Sequence, residues 1–172
     1  MKVVNYSDKC GSVQYCVLLE RFEIEYDVEV TAVAAAKTIY HDGAPDMRTD
    51  VVDAAKQKDF LDRCIDTAIN NVKTKIRFAV QRNSRMASDE ITEDAQQYVI
   101  PLRFEKEWQE EPETLCSAIH EYVVKFTLSR WAEKIGFKSD YYAQAEEELT
   151  RIHDIACCYV LNPVKLYGGK IC

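Results

Sequence analysis

The stretch from Glu111 to Leu161 restricts this chain more than any other. Two apolar stripes of helical spacing flank a break at Gly136. In the first, Leu115, Ile119, Tyr122, Val123 and Phe126 recur at steps of three and four, which puts them on one helix face. Ala118, Val124, Leu128 and Trp131 widen that face, so burial on more than one side is predicted. Pro112 fits a first helical turn, whose N–H has no intrahelical partner anyway. Glu110, Glu111 and Glu113 crowd the same end, where the helix dipole favours negative charge. Lys134 closes the last turn, Gly136 suits the left-handed position that ends many helices, and Phe137 can fold back on that cap. In the second stripe, Tyr142, Ala145, Leu149, Ile152, Ala156 and Tyr159 line up behind a cap at Ser139 or Asp140. Asn162–Pro163 stops it, because proline cannot continue a helix. The link is only about four residues, which predicts an antiparallel αα-hairpin.

The rest of the chain reads as strands around one more helix. Residues 1–12 form a polar start, and Val13 to Leu19 is apolar enough for a strand. Phe22, Ile24, Tyr26, Val28 and Val30 alternate with Glu23, Glu25, Asp27 and Glu29, the pattern of a half-buried strand. The alanine run within Val30–Tyr40 already admits a helix. Asp42-Gly43-Ala44-Pro45 is a turn. Thr49 or Asp50 opens a long helix, in which Leu61, Ile65, Ala68, Val72, Ile76 and Ala79 keep helical spacing and Val80 extends it. Asn83 to Gln97 is polar and aperiodic, hence a loop. Tyr98, Ile100, Leu102 and Phe104 alternate with Pro101 inside. Proline removes a ladder donor, so this is an edge strand or an extended arm. The expected fold is mainly α with a small β component. Residues 1–163 are expected to form one helical domain with an N-terminal β segment, and 164–172 a C-terminal arm.

Composition excludes several functions. The net charge is -7, which argues against a general grip on nucleic acid or anionic membranes. The apolar content of 47% is enough for a core and argues against disorder throughout. Seven cysteines with no CxxC pair point to a reducing, intracellular setting. Asn5, Ser7, Asp8 and Lys9 interrupt any signal-like apolar run, and no run approaches membrane-spanning length. The five glycines stand in no phosphate-cradling arrangement, and no HExxH helix or nucleophile elbow occurs.

One metal-ligand pattern exists. Cys116 and His120 are four apart on the first hairpin helix, and His153 and Cys157 four apart on the second. Each pair shares a helix face. If both faced the same side of the hairpin, they would suit tetrahedral zinc. The usual zinc spacing is tighter and borne on loops, so two flanking histidines and two buried thiols are the preferred reading. Lys73, Lys75, Arg77, Arg82 and Arg85 make a basic helix end that complements the dipole and can also meet an acidic neighbour. Glu146, Glu147 and Glu148 read as a solvated face. Candidate interface residues are Arg77, Arg82 and Arg85, then Tyr98, Pro101, Leu102 and Phe104 on the edge strand, and Val164, Leu166 and Tyr167 in the tail. Extended segments of this kind add to a neighbour's sheet edge.

The order of these features resembles the small head–tail connector (neck or adaptor) proteins of tailed bacteriophages. The likeness lies in the long helix near Asp50 to Gln81, the polar loop before Tyr98, and above all the hairpin. There AIHEYVVKFTLSRW from Ala118 is followed by YYAQAEEELTRI from Tyr141. The chain is most similar to structural-module proteins of phages and prophages of gut Bacteroides-type bacteria. The resemblance implies a non-enzymatic virion protein of the neck, assembled in the host cytoplasm as a ring of copies of itself. It implies contacts with portal and other neck or tail proteins, DNA passing through the lumen without sequence-specific contact, no membrane, and no catalytic residue or cofactor. The apolar N-terminal strands depart from the simplest all-helical adaptors. Alternatives are a tail completion or terminator-type structural protein, a small zinc-stabilised regulatory binding module, and a metal enzyme.

Overall fold

A computed structural model describes residues 2–7, 12–40, 58–80, 97–105, 107–136 and 138–158 of the chain. In order these form β1 (Lys2–Ser7), β2 (Ser12–Glu20), α1 (Arg21–Tyr40), α2 (Lys58–Lys75), β3 (Gln97–Glu105), α3 (Pro112–Lys134) and α4 (Tyr141–Ala156). The fold is mainly α with a small β component, as expected from the sequence. The strands make one antiparallel sheet in the order β1-β2-β3.

β3 is an edge strand, as its proline predicts. Tyr15 stands opposite Leu102, and Cys16 opposite Pro101. On the outer side of β3, the Arg103 N–H donates to the Ala79 carbonyl at 2.7 Å, and Val80 bridges Leu102. N–H groups of alternate strand residues point the same way. The donor that Pro101 lacks therefore belongs on this outer side, and its absence breaks no bond to β2.

α3 is the central element. It touches α1, α2, α4 and the first two strands. Leu115, Ala118, Ile119, Tyr122, Val123, Leu128 and Trp131 are all buried along it, which explains why its apolar residues occupy more than one face. The helix starts with Pro112 in its first turn and ends before Gly136, whose φ of 70° is the left-handed conformation glycine adopts without strain. α4 packs back on α3 as the second arm of the hairpin, burying Ala145, Ile152, Ile155 and Ala156. Asp140 precedes α4 but makes no side-chain cap bond; its carbonyl accepts the Gln144 N–H at 3.0 Å.

Several expectations are overturned. The alternating segment Phe22–Val30 is helix, the first half of α1. Ile24, Val28 and Ala32 are buried while Phe22, Tyr26 and Val30 are exposed. Each triplet is spaced by four, so a period-two pattern conceals two helical stripes. A strand would have put Phe22, Ile24, Tyr26, Val28 and Val30 on one face. The polar start contains a strand, β1, stabilised by antiparallel pairing with β2. α2 ends at Lys75, and Ile76 to Ala79 form a turn that still buries both end residues. Gln97 belongs to β3 rather than to a loop. Tyr142 is exposed and does not belong to the buried stripe of α4. The turn at Asp42–Pro45, the helix start at Thr49 or Asp50, Phe137, Tyr159, the stop at Asn162–Pro163 and the tail lie outside the described residues. Among the described residues no helix is long and apolar enough to cross a membrane.

Candidate assembly surfaces

The outer face of α1 is the most unusual surface of the described residues. Phe22 is 72% exposed, Tyr26 56% and Val30 49%. Three of the five exposed large hydrophobic side chains among the described residues thus lie on one helix stripe, and the Phe22 and Tyr26 rings stack at 6.4 Å. Single exposed apolar residues are ordinary, but a contiguous row marks an interaction surface. The row does not arise from a loosely held helix. Arg21 pairs with Glu25 and with Asp62 of α2, and Asp27 meets His120 of α3 at 2.8 Å. Glu23 and Glu29 border the stripe in the helical register, making this face acidic as well as apolar.

A second surface lies between α2 and α3. Phe60, Arg63, Cys64, Phe126, Arg130 and Lys134 line a groove of about 500 Å³. The Lys134 ammonium stands 4.4 Å from the centre of the Phe60 ring, and the Arg130 guanidinium 5.2 Å from that of Phe126. Such cation–π contacts hold long basic side chains flat along the rim. Arg130 also pairs with Glu133 at 2.9 Å. Burial pushes the Cys64 thiol up in pKa, against the opposing pull of Arg130, Arg63 and Lys134.

The zinc set is not assembled. α3 turns His120 toward Asp27 of α1, whereas α4 lies against the Lys125 side of α3. Those two positions are about 140° apart around the helix axis, so His120 cannot share a metal with α4. Cys116 is wholly buried, and burial raises its thiol to about 11. His153 Nε2 lies 3.6 Å from the Sγ of exposed Cys157, and Asp154 stands at the other ring nitrogen. The edge of the ring meets Phe78 from the turn after α2 at 6.1 Å, so neither residue is turned toward Cys116 or His120. Among the described residues no group of three or more His, Cys, Asp or Glu side chains is placed to hold a metal ion.

The interface residues expected from the sequence separate into three groups. Leu102 and Phe104 are buried in the hydrophobic core and are corrected to core residues. Tyr98 and Pro101 are partly buried, and Tyr98 packs against the core. Arg77 is exposed in the turn after α2, next to exposed Phe78. Arg82, Arg85, Val164, Leu166 and Tyr167 lie outside the described residues. The sequence reading missed the α1 stripe because it assigned those residues to a strand. Their spacing of four was the available signal.

The triple glutamate also divides. Glu146 and Glu147 are exposed, but the Glu148 side chain is only 12% exposed. Lys125 donates to its carboxylate at 2.8 Å and Arg151 at 3.2 Å. Burial alone would raise the pKa of Glu148, but these two cations outweigh it and hold the group below the usual glutamate range. A depressed folded-state pKa contributes stability above the unfolded pKa and loses it as pH falls through the folded one. Glu148→Gln is therefore expected to destabilise the protein by about 1–2 kcal/mol at neutral pH. The gap to the parent should close below about pH 4. Urea unfolding at both pH values checks this, and a pH-independent gap would remove the charge from the explanation.

No family model matches the chain, and neither does any curated protein or solved structure. The functional reading therefore stands on the surfaces just described and on the resemblance noted from the sequence.

Proposed function

We propose that this chain is a structural subunit of the head–tail connector of a tailed bacteriophage, one copy in a ring between portal and tail. The observation that carries the reading is the exposed apolar stripe of α1, held rigid by ion pairs on its inner side. A rigid, ordered row of aromatic and β-branched side chains is suited to joining protein to protein. The arrangement of α2 followed by the α3–α4 hairpin supports the resemblance, because these elements carry it. The net charge of -7 suits a lumen through which DNA slides without being held. On this reading the portal and other neck or tail proteins are the partners, the virion is the location, and no bond is made or broken.

Electron microscopy of the purified chain, alone and mixed with a portal ring, tests the reading. Closed rings, or decoration of the portal by a ring of this chain, are expected. A chain that stays monomeric and leaves the portal bare would overturn it.

A further inference from the structure

We infer that the ring contact is heterologous: the acidic apolar stripe of α1 in one copy seats in the basic aromatic groove between α2 and α3 of the next. The inference rests on the ring-subunit reading and names the two surfaces that would meet. Three observations carry it.

The first is charge. The stripe is bordered by Glu23 and Glu29, whereas the groove carries Arg63, Arg130 and Lys134 around Phe60 and Phe126. Against these stands one carboxylate, Glu133, which pairs with Arg130 and leaves the groove with an excess of two positive charges. On a chain of net charge -7, three cations gathered at one aromatic groove are a local exception. Opposite potentials on two apolar surfaces orient an encounter and reject wrong pairings.

The second is register. Phe22, Tyr26 and Val30 are spaced by four on α1, and Phe126, Arg130 and Lys134 by four on α3. Eight residues of helix rise about 12 Å, so stripe and groove wall have the same length. A helix that docks by anchors one turn apart needs a receiving row of that length.

The third is placement. α1 faces the His120 side of α3, and the groove lies on its Phe126 side. Six helical residues separate those directions by about 120°. The stripe moreover lies on the side of α1 away from buried Ile24 and Val28. A single copy cannot put its own stripe in its own groove. Two different patches that complement each other on separate faces make a head-to-tail contact, which closes into a ring when the rotation permits.

The test uses two charge-reversed full-length chains. One carries Glu23→Lys and Glu29→Lys on the stripe; the other carries Arg63→Glu and Arg130→Glu in the groove. Self-association is followed by sedimentation velocity at roughly 0.1 mM protein. The parent chain is expected to associate, and each variant alone to do so at least about 10-fold more weakly. An equimolar mixture of the two variants should recover assembly, because each reversed surface then finds an opposite one in the other chain. Misfolded variants would not be rescued by mixing. Association of either variant alone at the parent's strength, or a mixture that stays dissociated, would overturn the inference. If the parent forms rings that both variants also form, this pairing of stripe and groove fails and the connector reading stands. If the parent is monomeric both alone and with a portal, the two fail together.

Discussion

Trp108→Ala is expected to destabilise the protein by about 3–5 kcal/mol, the usual cost of emptying a buried tryptophan site. For a domain of this size that lowers the melting temperature by something on the order of 10 °C. Trp108 lies in the connection between β3 and α3, outside any helix or strand, yet it is buried. Its ring stacks on Phe104 of β3 at 4.1 Å and 9°, and Tyr15 of β2 lies 5.6 Å away. Its indole N–H donates to the Ile155 carbonyl near the end of α4 at 2.9 Å. Beside it the Gln109 N–H donates to the Cys158 carbonyl. One side chain therefore fastens the sheet to the far end of the hairpin. Trp108→Phe keeps most of the stacking but strips the donor, and should cost about 1–2 kcal/mol. Urea unfolding of the three chains measures both steps. A Trp108→Ala loss under about 1 kcal/mol would show that this connection does not hold the layers together.

Tyr122→Ala should be of similar size, about 3–5 kcal/mol, because Tyr122 fills the crossing of α2 and α3. It is fully buried, with the Phe126 ring at 5.8 Å. Its hydroxyl accepts a hydrogen bond from the Asn71 side-chain amide at 3.1 Å. Burial pushes the hydroxyl up in pKa despite that bond, so it stays a neutral phenol through the physiological range. Tyr122→Phe leaves the packing and unpairs the amide, at about 0.5–1.5 kcal/mol. A double-mutant cycle with Asn71→Ala should return a coupling of at least about 0.5 kcal/mol. Zero coupling would mean that the bond adds nothing and that α2 is held by shape alone. Phe126 also lines the proposed groove, so Tyr122 supports one wall of it.

Those two sites show which parts of the fold the sequence discloses. The hairpin was readable because its apolar positions recur at helical steps for many turns, and Pro112 and Gly136 mark ends that few other residues would. The edge strand was readable from one proline. α1 was misread because Phe22 to Val30 satisfies two periods at once, and the choice between them is made by α3, which lies about 80 residues away. Local pattern cannot encode a partner that distant. β1 was missed because a short strand gains its stability from pairing with β2, not from its own residues. Leu102 and Phe104 were placed at an interface since an edge strand can pair with a neighbour; their side chains instead are buried in the core, while residues 79 and 80 meet the open edge. The zinc pattern failed on rotation. Spacing puts Cys116 near His120, and His153 near Cys157, but says nothing about which flank of the hairpin each pair takes.

The order of the strands has a consequence for how the chain is made. β2 pairs on one side with β1, which precedes it, and on the other with β3, which emerges about 80 residues later. At ordinary translation rates that is a wait of roughly 4–15 s. The helix that buries Ile24 and Val28 follows later still. Throughout that interval the nascent N-terminal third presents an open strand edge and two unsheltered oily rows, while sister chains are being synthesised nearby. Its vulnerable period is on the ribosome, before the last helices exist to close it.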